Sequence, residues 1–205
     1  MSTMPDSEQR AAEVAWEVAT LFPPQGEWSP DEYLSLTDDI ARLVELTDGQ
    51  LDVLEMPTTS HQQTVLFMIS QLSPWCQQQQ AGIALMAPIR VQLRPGVFRE
   101  PDIVFATQEN QRVVGEDYWT GADLVMEVVS AGPKRRRRDL EQKRRENAEA
   151  KIREYWIIDP HKATIQVLEL SGNGYGVAGE YGRSELAKST LLPGFSVSVD
   201  QALRL

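Results

Sequence analysis

Leu124-Val125-Met126-Glu127-Val128-Val129-Ser130 is an apolar run with one carboxylate at its centre. The highly charged segment from Asp139 to Ile152 follows, and then the run Tyr155-Trp156-Ile157-Ile158-Asp159. Short apolar runs rich in β-branched and aromatic residues read as buried strands, and the charged segment between them reads as a helix. Glu141/Arg145 and Arg145/Glu149 stand at the i, i+4 spacing that supports it. Strand, helix, strand over residues 124–158 is a βαβ unit, whose two strands run parallel. The fold class is therefore α/β.

Working towards the N-terminus, Asp102 to Ala106 and Ile83 to Leu93 are expected strands, with Arg94-Pro95-Gly96 as the turn between them. Thr58-Thr59-Ser60-His61 opens a helix through Gln79, with Val65, Met68, Ile69, Leu72 and Cys76 as its apolar stripe. Asp48-Gly49 between Leu43–Leu46 and Leu51–Leu54 signals a β-hairpin. Ser29-Pro30 reads as an N-cap followed by proline at the first helical position. Residues 8–21 form a loosely periodic helix ended by Phe22-Pro23-Pro24-Gln25-Gly26. Residues 1–28 are thus an expected appendage, and 29–205 a single domain.

Working towards the C-terminus, Thr164 to Leu170 is expected to pair with residues 155–159 across the turn at Asp159-Pro160-His161-Lys162. Glycine-punctuated residues beyond Gly172 suggest an edge hairpin and a closing turn around Leu191 to Phe195. Glu109 to Gly121 reads as a loop.

The 205 residues are 41% hydrophobic and 24% charged, enough to bury a sizeable core. No apolar stretch approaches the roughly 20 residues needed to cross a bilayer. The first residues lack the basic-then-apolar order of a secretory signal, so a cytoplasmic location is expected. One cysteine, Cys76, excludes an intrachain disulfide and a cysteine-based zinc site. A net charge of -10 argues against indiscriminate binding to nucleic acid, which depends on neutralising phosphates. Lys134 to Arg145 nevertheless holds eight basic and two acidic residues. Its core, Lys134-Arg135-Arg136-Arg137-Arg138, is either a solubilising loop or an electrostatic guide for a phosphate backbone.

A carboxylate inside an apolar strand is costly to bury unless it is paired, protonated or metal-bound. Glu127 shares its face with Val125 and Val129 under strand alternation, so a solvated face is disfavoured. Asp102 enters the preceding strand behind Pro101, which favours an extended approach. Asp139, Lys143 and Asn147 form one polar stripe on the charged helix, which follows directly from the strand holding Glu127. Ligand sites in α/β folds gather at the carboxyl ends of such strands. Two acids and a lysine are the minimal equipment for metal-assisted phosphodiester hydrolysis.

Taken together, Glu45-Leu46-x-Asp48-Gly49, His61, Pro101-Asp102, Asp123 to Ser130, Asp139-x-x-x-Lys143, Glu154 to Pro160 and Leu192-Pro193-Gly194 resemble the Uma-two family of restriction-endonuclease-like proteins. That family lies in the PD-(D/E)XK nuclease-like superfamily. The resemblance implies a restriction-endonuclease-like core with a central mixed β-sheet flanked by helices. It also implies Mg²⁺ or Mn²⁺ held by Asp102 and Glu127, with the backbone carbonyl of Val128 as a further ligand. The superfamily lysine two residues after the second acid is Val129 here, and Lys143 is the replacement. The tyrosine four residues after that lysine is Asn147, and the usual Gly-Val before Glu-Tyr-Trp is Lys151-Ile152.

Glu45 is the expected third acid, as an outer metal ligand or a water-holding group, unless it simply faces water on its hairpin strand. Asp139, His61 and Asn147 are candidate supporting residues of the site, with capping or exposure at a helix start the expected place of His61. The expected function is a metal-dependent endonuclease acting on nucleic acid, DNA in the first place, working as a homodimer. A nuclease fold without turnover, binding nucleic acid or serving as a scaffold, is the alternative. The missing lysine at position 129 and the acidic net charge favour it.

Overall fold

The computed structural model describes residues 22–40, 42–129 and 138–203, without the side chains of Arg138 and Asp139. The helix expected over residues 8–21 and the basic residues Lys134 to Arg137 lie outside the described residues. Ser29 caps α1 (Pro30–Asp39) in a capping box: its Oγ accepts from the Glu32 amide, and Glu32 Oε2 accepts from the Ser29 amide. Two donors that the helix start would leave unpaired are satisfied in this way. The predicted hairpin follows as β1 (Val44–Thr47) and β2 (Gln50–Val53). Asp48 and Gly49 have φ of 46 and 82°, the double positive φ that a type I′ turn requires. A Cβ on Gly49 would run into the carbonyl of Gly26, so the close approach there needs glycine.

Helix α2 (Thr59–Gln79) starts at its N-cap Thr58. Its buried stripe of Val65, Met68, Leu72 and Cys76 packs against one face of the main sheet, with Leu124, Met126, Val128 and Trp156 in the same cluster. Leu72 is fully buried, so its truncation to alanine should cost about 2–5 kcal/mol.

The main sheet contains β3 (Gly82–Met86), β6 (Ile103–Thr107), β7 (Leu124–Val128), β8 (Glu154–Asp159), β9 (Thr164–Ser171) and β10 (Gly174–Tyr181), in the order β10-β9-β8-β7-β6-β3. Within it β7 and β8 run parallel, as the βαβ reading requires, and the other neighbours are antiparallel. Between β7 and β8 the chain forms a π-helical turn, Arg138–Gln142, and α3 (Lys143–Glu149). Ala148 of α3 joins Val125, Val129, Tyr155 and Ile157 in a cluster on the opposite face from α2. A second sheet, in the order β2-β1-β5-β4, adds β4 (Val91–Arg94) and β5 (Val97–Arg99) to the hairpin. β11 (Leu186–Lys188), β12 (Ser196–Ser198) and the short α4 (Val199–Ala202) complete the described chain. No helix among the described residues is long and apolar enough to cross a membrane.

Three expectations need correction. Ile83 to Leu93 is not one strand but β3 and β4, in different sheets. Pro88 has no amide proton to continue a ladder, and the Ala87 amide donates instead to the Asp102 carbonyl at 3.0 Å. The Arg94-Pro95-Gly96 turn accordingly leads into β5, an unexpected strand. The charged helix ends at Glu149 rather than Ile152, because Lys151 takes a left-handed φ of 62°, a conformation no helix continues through.

Candidate functional site

Alternation divides β7 between two faces. Leu124, Met126 and Val128 enter the cluster under α2, while Val125 and Val129 enter the one under α3. Glu127 belongs to the α3 side and is 5% exposed, so the solvated alternative does not occur. The ladder between β6 and β7 pairs Ile103 with Met126 and Val104 with Val125. Continued outward by one residue, this register sets Asp102 beside Glu127. The Val128 amide donates to Asp102 Oδ2 at 2.7 Å, so the two acids are joined through one peptide at the carboxyl end of β7.

Lys143, at the start of α3, reaches back to this point. Its Nζ lies 2.8 Å from Glu127 Oε1, with the lysine side chain 9% exposed and the glutamate side chain 7%. The pair sets an amine against Glu127, although position 129 is valine. Asn147, one turn further on, is also buried. The side chain of Asp139, third member of that stripe, lies outside the described residues, as does the side chain of Arg138.

His61 departs from its expected exposed or capping role. Its backbone amide donates to Thr58 Oγ1, but its ring turns inward, with Nε2 2.9 Å from Asp102 Oδ1. Residues 41 apart in sequence meet here, which no local pattern signals.

Glu45 is fully buried and does not face water. Its Oε1 accepts from the Glu100 amide at 3.3 Å, and its Oε2 lies 3.7 Å from Arg99 Nε. Arg99 in turn grips Glu146 of α3 with two hydrogen bonds of 2.9 Å and donates to the Leu46 and Phe98 carbonyls. Arg99 thus ties the small sheet to the helix carrying Lys143. The sequence reading missed Arg99 and Glu146. Their signals were a cation directly before Glu100-Pro101-Asp102 and an acid three positions after Lys143, hence on the same helix face. Glu100 was missed too. It is 6% exposed, its Oε2 has no hydrogen-bond partner among the described residues, and burial followed by the Glu45 charge pushes its carboxyl up to about 7.

A family model described as "Putative restriction endonuclease" matches residues 30–200. The chain belongs to the Uma2 family. This is the family named Uma-two above, and the match spans all three sheets among the described residues and all the residues just placed. A crystal structure described as a "putative nuclease belonging to DUF820 from Anabaena variabilis ATCC 29413" is similar in fold, with a TM-score of 0.69 at 17% identity. The similarity covers 86% of this chain and 97% of that one. No curated protein matches the chain. Uma2 membership makes the chain a member of a nuclease family with a mixed sheet flanked by helices.

A family of this type implies a divalent cation, and the donors here suit one. Each carboxylate oxygen has two lone pairs, so the hydrogen bonds to both oxygens of Asp102 leave each able to accept a cation. Among the described residues no group of three or more His, Cys, Asp or Glu side chains is placed to hold a metal. Two carboxylates with the remaining positions left to a carbonyl, water and substrate is the pattern of Mg²⁺ sites.

Proposed function

We propose that this Uma2 protein is a metal-dependent endonuclease that hydrolyses phosphodiester bonds of nucleic acid, with DNA as substrate. The observation that carries this reading is the meeting at the end of β7 of the buried Glu127–Lys143 pair with Asp102, whose Oδ2 accepts from the Val128 amide. Asp102, Glu127 and the Val128 carbonyl would hold Mg²⁺ or Mn²⁺, with Glu45 behind them as a third acid. The bound ion would acidify a water and neutralise phosphate charge.

The chain's own residues do the rest. Glu127 holds the Lys143 ammonium at the end of β7, where it can stabilise negative charge developing on the phosphate. Burial of both groups strengthens their effect relative to water. Asn147, buried on α3, and Asp139, four residues before Lys143 in the chain, serve as supporting groups. Lys134 to Arg138, which come after β7 in the chain, would draw the phosphate backbone towards the acids. Residues 29–205 are the catalytic unit and 1–28 an appendage, and a homodimer in the cytoplasm would cut both strands.

Supercoiled plasmid incubated with Mg²⁺ or Mn²⁺ tests the proposal. Wild-type protein should nick it, and Asp102→Asn, Glu127→Gln and Lys143→Met should each be slower by about 100-fold or more, the scale of losing one electrostatic stabiliser. Equal rates in all four proteins would discard it. A second reading, a nuclease fold that binds nucleic acid without turnover or serves as a scaffold, draws support from Val129 at the superfamily lysine position. Mobility shifts without cleavage, weakened when Lys134 to Arg138 are neutralised, would select that reading.

A further inference from the structure

We propose that His61 is a positioning residue that locks the carboxylate of Asp102 in the orientation that grips the cation. This rests on the metal reading above and adds a residue to it. Asp102 is held from three directions. Its backbone carbonyl accepts from the Ala87 amide at 3.0 Å, Oδ2 accepts from the Val128 amide at 2.7 Å, and Oδ1 faces His61 Nε2 at 2.9 Å. A carboxylate held at one oxygen can still swing about that bond. A donor on the second oxygen fixes its plane.

The clamp is itself rigidly mounted. His61 lies in the first turn of α2, whose N-cap Thr58 accepts from the His61 amide, and that helix is anchored through Val65, Met68 and Leu72. Both side chains are mostly buried, at 18% and 17% exposed, so water competes poorly for the contact. An oxygen acceptor requires the proton on Nε2, and the second lone pair of Oδ1 stays open to a cation. Hydrogen-bond partners behind metal-binding side chains are typically worth 10–100-fold in metal affinity.

Calorimetry with Mn²⁺ on the full-length protein tests this, with thermal melts as the check on folding. His61→Asn and His61→Gln are the informative pair: glutamine carries an amide donor about as far from Cβ as Nε2, and asparagine falls short of it. His61→Asn and His61→Ala should weaken Mn²⁺ binding about 10–100-fold, and His61→Gln should recover most of it. In an Asp102→Asn background, His61→Ala should cause no further loss. Wild-type affinity in folded His61→Asn would overturn the proposal. So would equal weakening in His61→Gln, which would make His61 a direct ligand, or a further loss in the Asp102→Asn background. A wild-type protein that binds no Mn²⁺ would instead remove the metal reading, and this proposal with it.

Discussion

Lys143 Nζ and Glu127 Oε1 lie 2.8 Å apart with both side chains less than a tenth exposed, which places an ammonium and a carboxylate in apolar surroundings between the sheet and α3. Breaking such a pair on one side leaves a buried charge without its partner. Glu127→Ala should therefore lose about 3–5 kcal/mol of stability. The double variant Glu127→Gln with Lys143→Met should recover much of that loss while remaining inactive. Urea denaturation of wild type, Glu127→Gln, Lys143→Met and the double variant measures the coupling, and an additive double variant would contradict the pairing.

Arg99 makes two bonds to Glu146 and two to main-chain carbonyls, a planar fork that lysine cannot reproduce. Arg99→Lys should destabilise the protein by about 2–3 kcal/mol, the scale of charge-assisted hydrogen bonds. It should also slow cleavage, because α3 carries both Glu146 and Lys143. A melting temperature and a plasmid-nicking rate both unchanged in Arg99→Lys would show that the small sheet does not brace the helix.

Glu154, fully buried on β8, is saturated with donors. Trp156 Nε1, Ser189 Oγ, the Thr190 amide and hydroxyl, and the Leu191 amide all point to it at 2.6–2.8 Å. Glu154→Gln puts an NH₂ group among those donors and should cost about 2 kcal/mol or more. Hydrogen exchange at Thr190 and Leu191 should accelerate selectively. Unchanged protection at those two amides would mean that the segment is held by its apolar contacts alone.

Glu100 sets a pH dependence. Its folded value of about 7 lies above the ordinary 4.5, so the folded protein binds the proton more tightly than the unfolded chain. The stability this contributes is full below about pH 4.5 and is lost as pH rises through about 7. The slope reaches at most about 1.4 kcal/mol per pH unit. Glu100→Gln should flatten the stability profile across that window and exceed wild type at pH 8. Parallel profiles for the two proteins would place the titration elsewhere.

The architecture was legible wherever local chemistry is strong. The capping box at Ser29, the I′ turn at Asp48-Gly49, the stripe of α2 and the parallel pairing of β7 with β8 all occur as read. Errors arose where a strand pattern continues across a change of sheet, at Ala87-Pro88, and where Lys151 stands at the position of an expected glycine and still turns left-handed. Apolar alternation carries no mark of which sheet a strand joins.

The site divides the same way. Glu127 announced itself because a carboxylate amid valines must be compensated, and Lys143 because helical spacing put it on the face that follows. Sequence alone thus determined the βαβ frame and the need for a partner at position 127. Only the tertiary structure decided which partners arrive: His61 on Asp102, Arg99 across to Glu146, and the orphaned oxygen of Glu100. Those pairings span 41 and 47 residues, and they depend on how two sheets and two helices pack. A spacing rule reaches about one helical turn or one pleat along the chain, and nothing in it extends to contacts made by packing.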